Sequence, residues 1–586
     1  MLLDGTANYL ADTLGASPDQ IKVILLLVGA VPLSLAFPYF PPSTRSSLVH
    51  LYALVPSILF LCFVLDLRWG FLELLADTLA TWFICKLGVA GKWGRATPWM
   101  VFAVVMGHLA VNHIRTYLVD TPLTTIDIAG SQMVHCMKLI SVAWSIYDGT
   151  RPEAELDATQ KGSKIEGVPG LLPFLGYAFF FPSILAGPAM TFRSYISFTT
   201  HGLFAKENPG VADAKPDPTI IPPGRRRKAL KRFATGIFYL GLFSVYGGQL
   251  GMHKLIDEEW LKGKTFWEKL LQMNAGGFIA RTKYYAVWCI AESAFILSGL
   301  GYNPQTKHYD ASRNVRIRSI ELAPNFKVLL DSWNMNTNVW LRECIYKRVA
   351  KKGRKPGFKS TQVTFITSAL WHGVNPCYLM TFVLGGFCQA VNRSLRAGLR
   401  PFFLPPGALS NPNPSAAPIP KPDVQKVVDK ENKTVRVKVA PPPQTAVKTL
   451  YDVAGTVATG VVLNFAVVPF LLLDVRSSLA AWRAVNFYGL FLVFVPFLLL
   501  NTLGGLRYLK SLQKQRDAKA ARAGGGRRMS KGEEEQERKR VEWEREEERK
   551  RRNRGEGVPS MGMDVEGMVE EEERRAAEKG KGKKEL

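Results

Sequence analysis

The chain has 586 residues, of which 47% are hydrophobic, and 75 lysines and arginines against 49 acidic residues give a formal net charge of +26. Apolar runs alternate with basic connections. We therefore expect the basic residues to contact a lipid bilayer or a polyanionic ligand, and we expect no nucleic-acid partner. The seven cysteines are scattered through apolar runs without CxxC spacing, which argues against a disulfide framework or a metal site.

Many apolar runs approach the ~20 residues that a helix needs to cross a bilayer. We therefore predict an all-α, polytopic integral membrane protein with about 10–12 transmembrane or re-entrant helices that enclose an intramembrane chamber. The first run lacks a preceding basic stretch, so it is interpreted as a span and not as a cleaved signal peptide. The runs lie at about 21–40, 48–66, 70–90, 97–118, 127–147, 171–190, 232–252, 283–301, 363–398, 450–473 and 486–506.

Composition divides the chain into four parts. Residues 1–400 form the first part of the membrane core, and 445–506 its final helices. Between them, 401–444 is a proline- and lysine-rich insert in which we expect disorder. The charged tail, 507–586, faces the cytosol by the positive-inside rule. Two spans separate the insert from the tail, so the insert is expected on the same side.

The tail ends in Lys583-Lys584-Glu585-Leu586. Lysines three and four positions from the carboxyl end are typical of a dilysine signal, by which a retrieval coat returns membrane proteins to the endoplasmic reticulum. A lumenal KDEL-type address is the weaker alternative, since Lys584 replaces its aspartate. We therefore predict a multi-pass protein of the endoplasmic reticulum membrane with a cytosolic carboxyl end.

His372 lies inside an apolar run, and an ionisable side chain at membrane depth is a functional-site hypothesis by default. The basic loop 347–359 before this run and the insert after it are both expected in the cytosol. The segment between them must therefore enter the membrane and return on one side. At ~1.5 Å per residue, the stretch from Thr361 carries the histidine roughly 16 Å inward. A buried structural histidine is the alternative.

A second polar segment precedes the basic loop and carries Asn334, Asn336 and Asn338 between Trp333 and Trp340. Amides so close to apolar residues must find hydrogen-bond partners or cost free energy. Standing alone, the pattern is explained by a polar loop or a helix cap as well as by a functional site.

The WNxxxxxW segment, followed by Trp371-His372 in an apolar run, resembles the membrane-bound O-acyltransferase (MBOAT) family. The resemblance extends from about Gly107 to Gly386. Within the family, these segments look like the lysophospholipid acyltransferase branch in its fungal form. Members that act on sterols or diacylglycerol usually carry an FYxDWWN-like segment, where this chain has VLLDSWN at 328–334. Further matching segments are 127–133, 138–149, 176–183, 187–188, 284–288, Glu292 and 298–301.

The resemblance implies transfer of a fatty acyl group from acyl-CoA to the free glycerol hydroxyl of a lysophospholipid. The functional pair of the family falls on His372 and Asn334. The histidine can act as general base for the hydroxyl, and the amide of Asn334 can donate to the carbonyl oxygen as charge develops, or orient the acceptor. No serine elbow or cysteine nucleophile pattern is present, so direct transfer is expected, with acyl-CoA as co-substrate and no cofactor.

Two further groups of candidates follow from this interpretation. Basic residues near the motifs could bind the CoA phosphates, although any one of them could instead only set the topology; these are Lys347, Arg348, Lys351, Lys352, Arg354 and Lys355. Residues beside the catalytic pair could line the chamber, although aromatic residues in membrane helices more often serve packing; these are Trp333, Asn336, Asn338, Trp340 and Trp371.

His108 and His113 are five residues apart and so do not share a helix face, and the remaining histidines lack a carboxylate or cysteine at ligand spacing, so no metal site is expected. Two alternatives to lysophospholipid acylation stay open. One is an acyltransferase of the same family for another acceptor, namely diacylglycerol, a sterol or a protein. The other is a lipid transporter or scramblase in which His372 lines a path. Transporters usually show internal repeats or several intramembrane charges, and neither is clear here.

Overall fold

The computed structural model describes residues 2–40, 47–119, 125–204, 221–350, 357–405, 426–428, 435–437 and 445–523. Nearly all of these residues that have regular structure are helical, which confirms the prediction of an all-α membrane protein. The Lys351–Lys355 part of the basic loop, most of the insert, and the tail after Ala523 lie outside the described residues.

The helices fall into three stretches of chain. The first contains α1 (Asp4–Leu14), α2 (Pro18–Leu33), α3 (Ser47–Ile58), α4 (Arg68–Ala90), α5 (Ala96–Leu118), α6 (Ala129–Gly149), α7 (Ala158–Ser163), α8 (Leu171–Ala178), α9 (Phe181–Ile184) and α10 (Phe192–Thr199). The second contains α11 (Arg225–Tyr246), α12 (Glu258–Leu261), α13 (Phe266–Ser298), α14 (Ile317–Glu321), α15 (Phe326–Leu330), α16 (Met335–Trp340), α17 (Lys347–Val349), α18 (Phe358–His372) and α19 (Pro376–Leu399). The third contains α20 (Ala446–Ala466), α21 (Val468–Leu472), α22 (Val475–Ala484), α23 (Tyr488–Phe497) and α24 (Gly505–Ala523).

Shorter helical pieces adjoin these elements. Turns of 3₁₀ type lie at Ser34–Tyr39, Glu153–Glu155, Gly202–Phe204, Met252–Ile256 and Arg400–Phe403, and π-helical turns lie at Leu59–Val64, Leu341–Tyr346 and Leu498–Thr502. One small antiparallel pair, β1 (Lys426–Val428) and β2 (Val435–Val437), lies in the insert, with Lys426 opposite Val437. The sequence prediction assigned no regular structure to that insert.

Four of the described helical segments are each long and apolar enough to cross a membrane. A fifth candidate is the pair Val475–Ala484 and Tyr488–Thr502, bent by 88°. The prediction of about 10–12 helices rests on apolar runs, and several of those runs are broken or carry more charge. The run at 171–190, for example, divides into α8 and α9. The four spans are Pro18–Tyr39, Ser47–Val64, Ala96–Leu118 and Ala446–Ala466.

Polar side chains join α4, α5 and α6 inside the apolar core. His108 Nδ1 lies 2.8 Å from Asp77 Oδ1, and Gln132 Nε2 donates to Asp77 Oδ2 at 3.1 Å. On the other side of α6, the fully buried Lys138 donates to the carbonyl oxygen of Ala178 at 2.8 Å and to Ser183 Oγ at 3.0 Å. Buried polar groups must be paired in this way, so these bonds fix how α6 packs against its neighbours.

Helices α18 and α19 form the predicted hairpin and pack against each other. Gly373 ends α18 with φ 150° and ψ 177°, a conformation that is open almost only to glycine. Asn375 Oδ1 then accepts a hydrogen bond from the backbone N–H of Cys377, and Pro376 occupies the first turn of α19. Asn375 Nδ2 also donates to the carbonyl oxygen of Leu473 at 2.7 Å. The apex is therefore held both by its own sequence and by the α21–α22 connection.

Candidate active site

A cavity of about 80 Å³ lies where α16, α18 and α19 meet. Both His372 and Asn334 line it, so the structure brings together the two residues predicted to act as a pair. The remaining wall has five apolar or aromatic side chains and four hydroxyl or amide side chains. It consists of Leu330, Trp333, Thr337, Asn338, Leu341, Thr364, Phe365, Ser368 and Phe382.

His372 is the last residue of α18, at the apex of the hairpin. Its ring stacks on Phe382 with centroids 5.0 Å apart, and Phe470 packs edge-on, also at 5.0 Å. Trp371 and Tyr378 supply two more ring contacts, at 4.7 and 5.9 Å. Within the described part of the chain, neither imidazole nitrogen makes a hydrogen bond to another residue. Aromatic packing thus orients the ring and leaves its nitrogens for a ligand.

Asn334 precedes α16 and has φ 40°, a left-handed conformation that asparagine tolerates better than most residues. Its Oδ1 accepts a hydrogen bond from Thr337 Oγ1 at 2.8 Å. This bond fixes the orientation of the amide, because its oxygen is already used as the acceptor for Thr337. The Nδ2 group of Asn334 has no hydrogen-bond partner among the residues described, so it remains a donor on the cavity wall.

The structure separates the five predicted chamber residues into two groups. Trp333 and Asn338 line the cavity, where Asn338 Nδ2 also donates to the Leu330 carbonyl oxygen at 2.6 Å. The other three residues are absent from its lining. Asn336 Nδ2 donates to Asn314 Oδ1 at 3.0 Å, Trp371 Nε1 donates to the Met133 carbonyl oxygen at 2.9 Å, and Trp340 packs on Trp371 with centroids 6.0 Å apart.

Comparison with known proteins identifies the family to which the residues of this cavity belong. The family model described as "MBOAT, membrane-bound O-acyltransferase family" matches residues 115–412, a range that contains both Asn334 and His372. The chain belongs to the membrane-bound O-acyltransferase family. This protein is therefore an O-acyltransferase, and the resemblance stated from its motifs is confirmed.

Similar MBOAT proteins cover most of the chain. A protein of Schizosaccharomyces pombe named "Lysophospholipid acyltransferase" is 36% identical over 490 residues, which are 83% of this chain and 87% of that protein. A protein of the same name from Saccharomyces cerevisiae is 32% identical over 85% of this chain and 76% of its own length. The human protein "Membrane-bound glycerophospholipid O-acyltransferase 2" is 27% identical over 80% of this chain and 82% of its own length.

Two of the six basic candidates for phosphate binding already pair with carboxylates of the protein. Lys347 Nζ lies 2.7 Å from Asp157 and 2.6 Å from Glu343. Burial opposes ionisation of Asp157. The charge of Lys347, together with hydrogen bonds from Lys347 and from the backbone at Gln160 and Thr159, outweighs burial and lowers the pKa of that carboxyl. Arg348 Nη1 donates to Asp148 Oδ1 at 2.8 Å, and its guanidinium also contacts the second carboxylate oxygen. Lys351, Lys352, Arg354 and Lys355 lie outside the described residues.

His113 is a neighbour of the site that the sequence did not single out. Its Nε2 donates to the backbone carbonyl oxygen of Trp371 at 3.3 Å, directly before His372. A Cβ on Gly373 would lie 3.8 Å from His113 Nδ1, so the ring rests against the hairpin apex. His113 comes from α5, far away in sequence, and its spacing from His108 carried no signal for this contact.

A larger cavity, of about 240 Å³, lies elsewhere and has a different character. Its lining contains Lys92 and Tyr147 but no histidine or carboxylate, so it lacks the groups that acyl transfer needs. Across the described ranges, no three or more histidine, cysteine, aspartate or glutamate side chains are close enough together to hold a metal ion. The cavity with the His372–Asn334 pair is therefore the candidate active site of this MBOAT protein.

Proposed function

We propose that this protein transfers a fatty acyl group from acyl-CoA to the free glycerol hydroxyl of a lysophospholipid. The observation that carries the proposal is the single cavity shared by His372 and Asn334. The lysophospholipid acceptor is taken from relatives at 36% and 32% identity that bear the name lysophospholipid acyltransferase. Acylation of diacylglycerol, a sterol or a protein is the alternative within the family.

The proposed reaction is a direct transfer without an acyl-enzyme. His372 accepts the proton of the glycerol hydroxyl as its oxygen attacks the thioester carbonyl carbon. The new C–O bond forms, the C–S bond breaks, and the CoA thiolate leaves and takes up the proton. The free Nδ2 of Asn334 is placed to donate to the carbonyl oxygen while it carries negative charge. The acyl group moves from sulfur to oxygen and the proton moves from oxygen to sulfur, so the reaction requires no cofactor.

Labelled oleoyl-CoA and a panel of lysophospholipids, diacylglycerol and sterol, presented to the purified protein, test the proposal. We expect product only with lysophospholipids. His372→Ala should lower kcat by about 10²- to 10⁴-fold, and Asn334→Ala by about 10²-fold. The matched control is His253→Ala, because His253 is exposed and far along the chain from the cavity. Acylation of only diacylglycerol or sterol, or full activity in His372→Ala, would refute the proposal.

We propose the endoplasmic reticulum membrane as the location, with the charged tail in the cytosol. The support is the clustering of basic residues in the tail and the Lys583-Lys584 pair, which lies outside the described residues. That pair is the proposed contact for a retrieval coat. Replacing both lysines with serine in a protein tagged at its amino end should shift it to later secretory compartments. An unchanged distribution would refute the role of this pair.

A further inference from the structure

Arg393 is a buried cation in α19 for which the described chain supplies no hydrogen-bond acceptor. The residue is 6% exposed, and its Nε, Nη1 and Nη2 atoms are all buried without a hydrogen bond to any described residue. Arg348, by contrast, binds both oxygens of Asp148. Burial of an uncompensated charge costs several kcal/mol. A guanidinium in this state therefore points to an anionic ligand, because none of the described residues supplies the partner.

Two further side chains with buried polar atoms are associated with Arg393: Tyr346 beside it, and Gln362 against the same face of α19, about 10 Å nearer the hairpin apex. Both amide atoms of Gln362 and the hydroxyl of Tyr346 are also buried without hydrogen bonds to described residues. Tyr346 lies within electrostatic reach of Arg393. A Cβ on Gly386 would lie 2.6 Å from Gln362 Oε1, so the absence of a side chain there lets the amide approach α19. Gly386 and Arg393 are seven residues apart and share one helix face. Gln362, Tyr346 and Arg393 form what we name the Arg393 cluster.

The chemistry of the Arg393 cluster favours phosphate. A guanidinium offers a planar fork of N–H donors that matches two phosphate oxygens, and the amide and phenol groups add further donors. No carboxylate belongs to the cluster. We propose that the Arg393 cluster binds a phosphate of the acyl-CoA donor, an inference that rests on the proposed function of the cavity at His372.

Distance along the hairpin distinguishes the donor from the acceptor. At ~1.5 Å per residue, Gln362 lies about 15 Å before His372 along α18, and Arg393 lies about 26 Å beyond Pro376 along α19. In a lysophospholipid only a few bonds separate the phosphate from the free glycerol hydroxyl. In acyl-CoA the whole pantetheine arm lies between the thioester and the phosphates. Only the donor can therefore place its reacting carbonyl at the hairpin apex and a phosphate at the Arg393 cluster simultaneously.

Steady-state kinetics of Arg393→Met test this assignment in the full-length purified protein. The substitution keeps most of the side-chain length but removes the charge and every donor. We expect the KM for oleoyl-CoA to rise by about 10- to 100-fold, the value of a lost hydrogen bond to a charged group. The KM for lysophospholipid and kcat should change little. The KM of Arg393→Lys for oleoyl-CoA should fall between those of the wild type and Arg393→Met, because lysine keeps the charge but not the planar fork of donors.

Arg396→Met is the matched control, because it removes the same charge from α19 three residues further along. Gln362→Met serves as a second variant of the cluster, and it should raise the KM for oleoyl-CoA in the same direction even if Arg393→Met fails to fold. Protection against thermal unfolding gives an independent readout. CoA should stabilise the wild type more than Arg393→Met, and inorganic phosphate should compete weakly.

The outcomes separate this inference from the proposed function. Loss of CoA protection in Arg393→Met supports the phosphate site even if no lysophospholipid is acylated, a result that would overturn the proposed function alone. A raised KM for lysophospholipid with an unchanged KM for oleoyl-CoA would instead assign the cluster to the acceptor phosphate and overturn the inference. Unchanged CoA protection and kinetics in Arg393→Met and Gln362→Met would assign the cluster to packing and also overturn it.

Discussion

Gly373 allows a quantitative test of how firmly the hairpin apex holds the histidine. Its φ of 150° and ψ of 177° would impose about 1–3 kcal/mol of strain on any other residue. A Cβ there would also lie 2.7 Å from Cε2 of Tyr378, and such overpacking costs about 1–3 kcal/mol more. We therefore expect Gly373→Ala to lower the free energy of unfolding by about 2–6 kcal/mol.

The same methyl group would press on the Tyr378 ring, which stacks on His372. Misplacement of a reacting group by about 1 Å can lower the rate ~10²-fold, so kcat of Gly373→Ala should fall by about that factor. Transfer from labelled oleoyl-CoA measures kcat, and thermal unfolding in the same detergent measures stability. Gly241→Ala in α11 is the matched control, because a Cβ there meets no described atom within 4 Å. Wild-type kcat and stability in Gly373→Ala would refute this account of the apex.

Three further predictions concern residues that support the site. Thr337→Val removes the hydroxyl that orients the Asn334 amide, so kcat should fall about 10-fold. Thr337→Ser keeps a hydroxyl and should retain the kcat of the wild type. Equal kcat values in the two variants would contradict this role of Thr337. Asp148→Asn leaves Arg348 buried without its carboxylate and should lower the free energy of unfolding by about 3–5 kcal/mol, whereas an unchanged unfolding temperature would show that the pair is dispensable. His113→Ala should lower kcat with little change in either KM, and His113→Gln, which can still donate to the apex carbonyl, should recover part of it.

The sequence was sufficient to predict the hairpin and to single out His372 and Asn334, which the structure places in one cavity. Charge on both sides of one apolar run required the chain to return, and α18 and α19 do so with His372 at the apex. The pairing of Lys347 and Arg348 could not be predicted, because their carboxylates lie in segments remote in sequence, at Asp157 and Asp148. Only tertiary packing brings these charges together.

Arg393 shows a signal that was present in the sequence but not used. It lies within the apolar run predicted at 363–398, and an ionisable residue in such a run is a functional-site hypothesis by default. The same principle singled out His372. The sequence could not show that this guanidinium is buried without a hydrogen bond to any described residue; only the packed structure shows this.

The two tryptophans of the motifs contribute to holding Asn334 and His372 in their relative positions. Trp340 follows Asn334 on α16, Trp371 precedes His372 on α18, and the two rings pack with centroids 6.0 Å apart. Trp371 is also tied to α6, because its Nε1 donates to the Met133 carbonyl oxygen. Neither ring lines the cavity. Asn334 and His372 have no direct link to each other among the described contacts. This indole pair is one packing contact between their helices, and it supports the relative position of the two residues from outside the cavity.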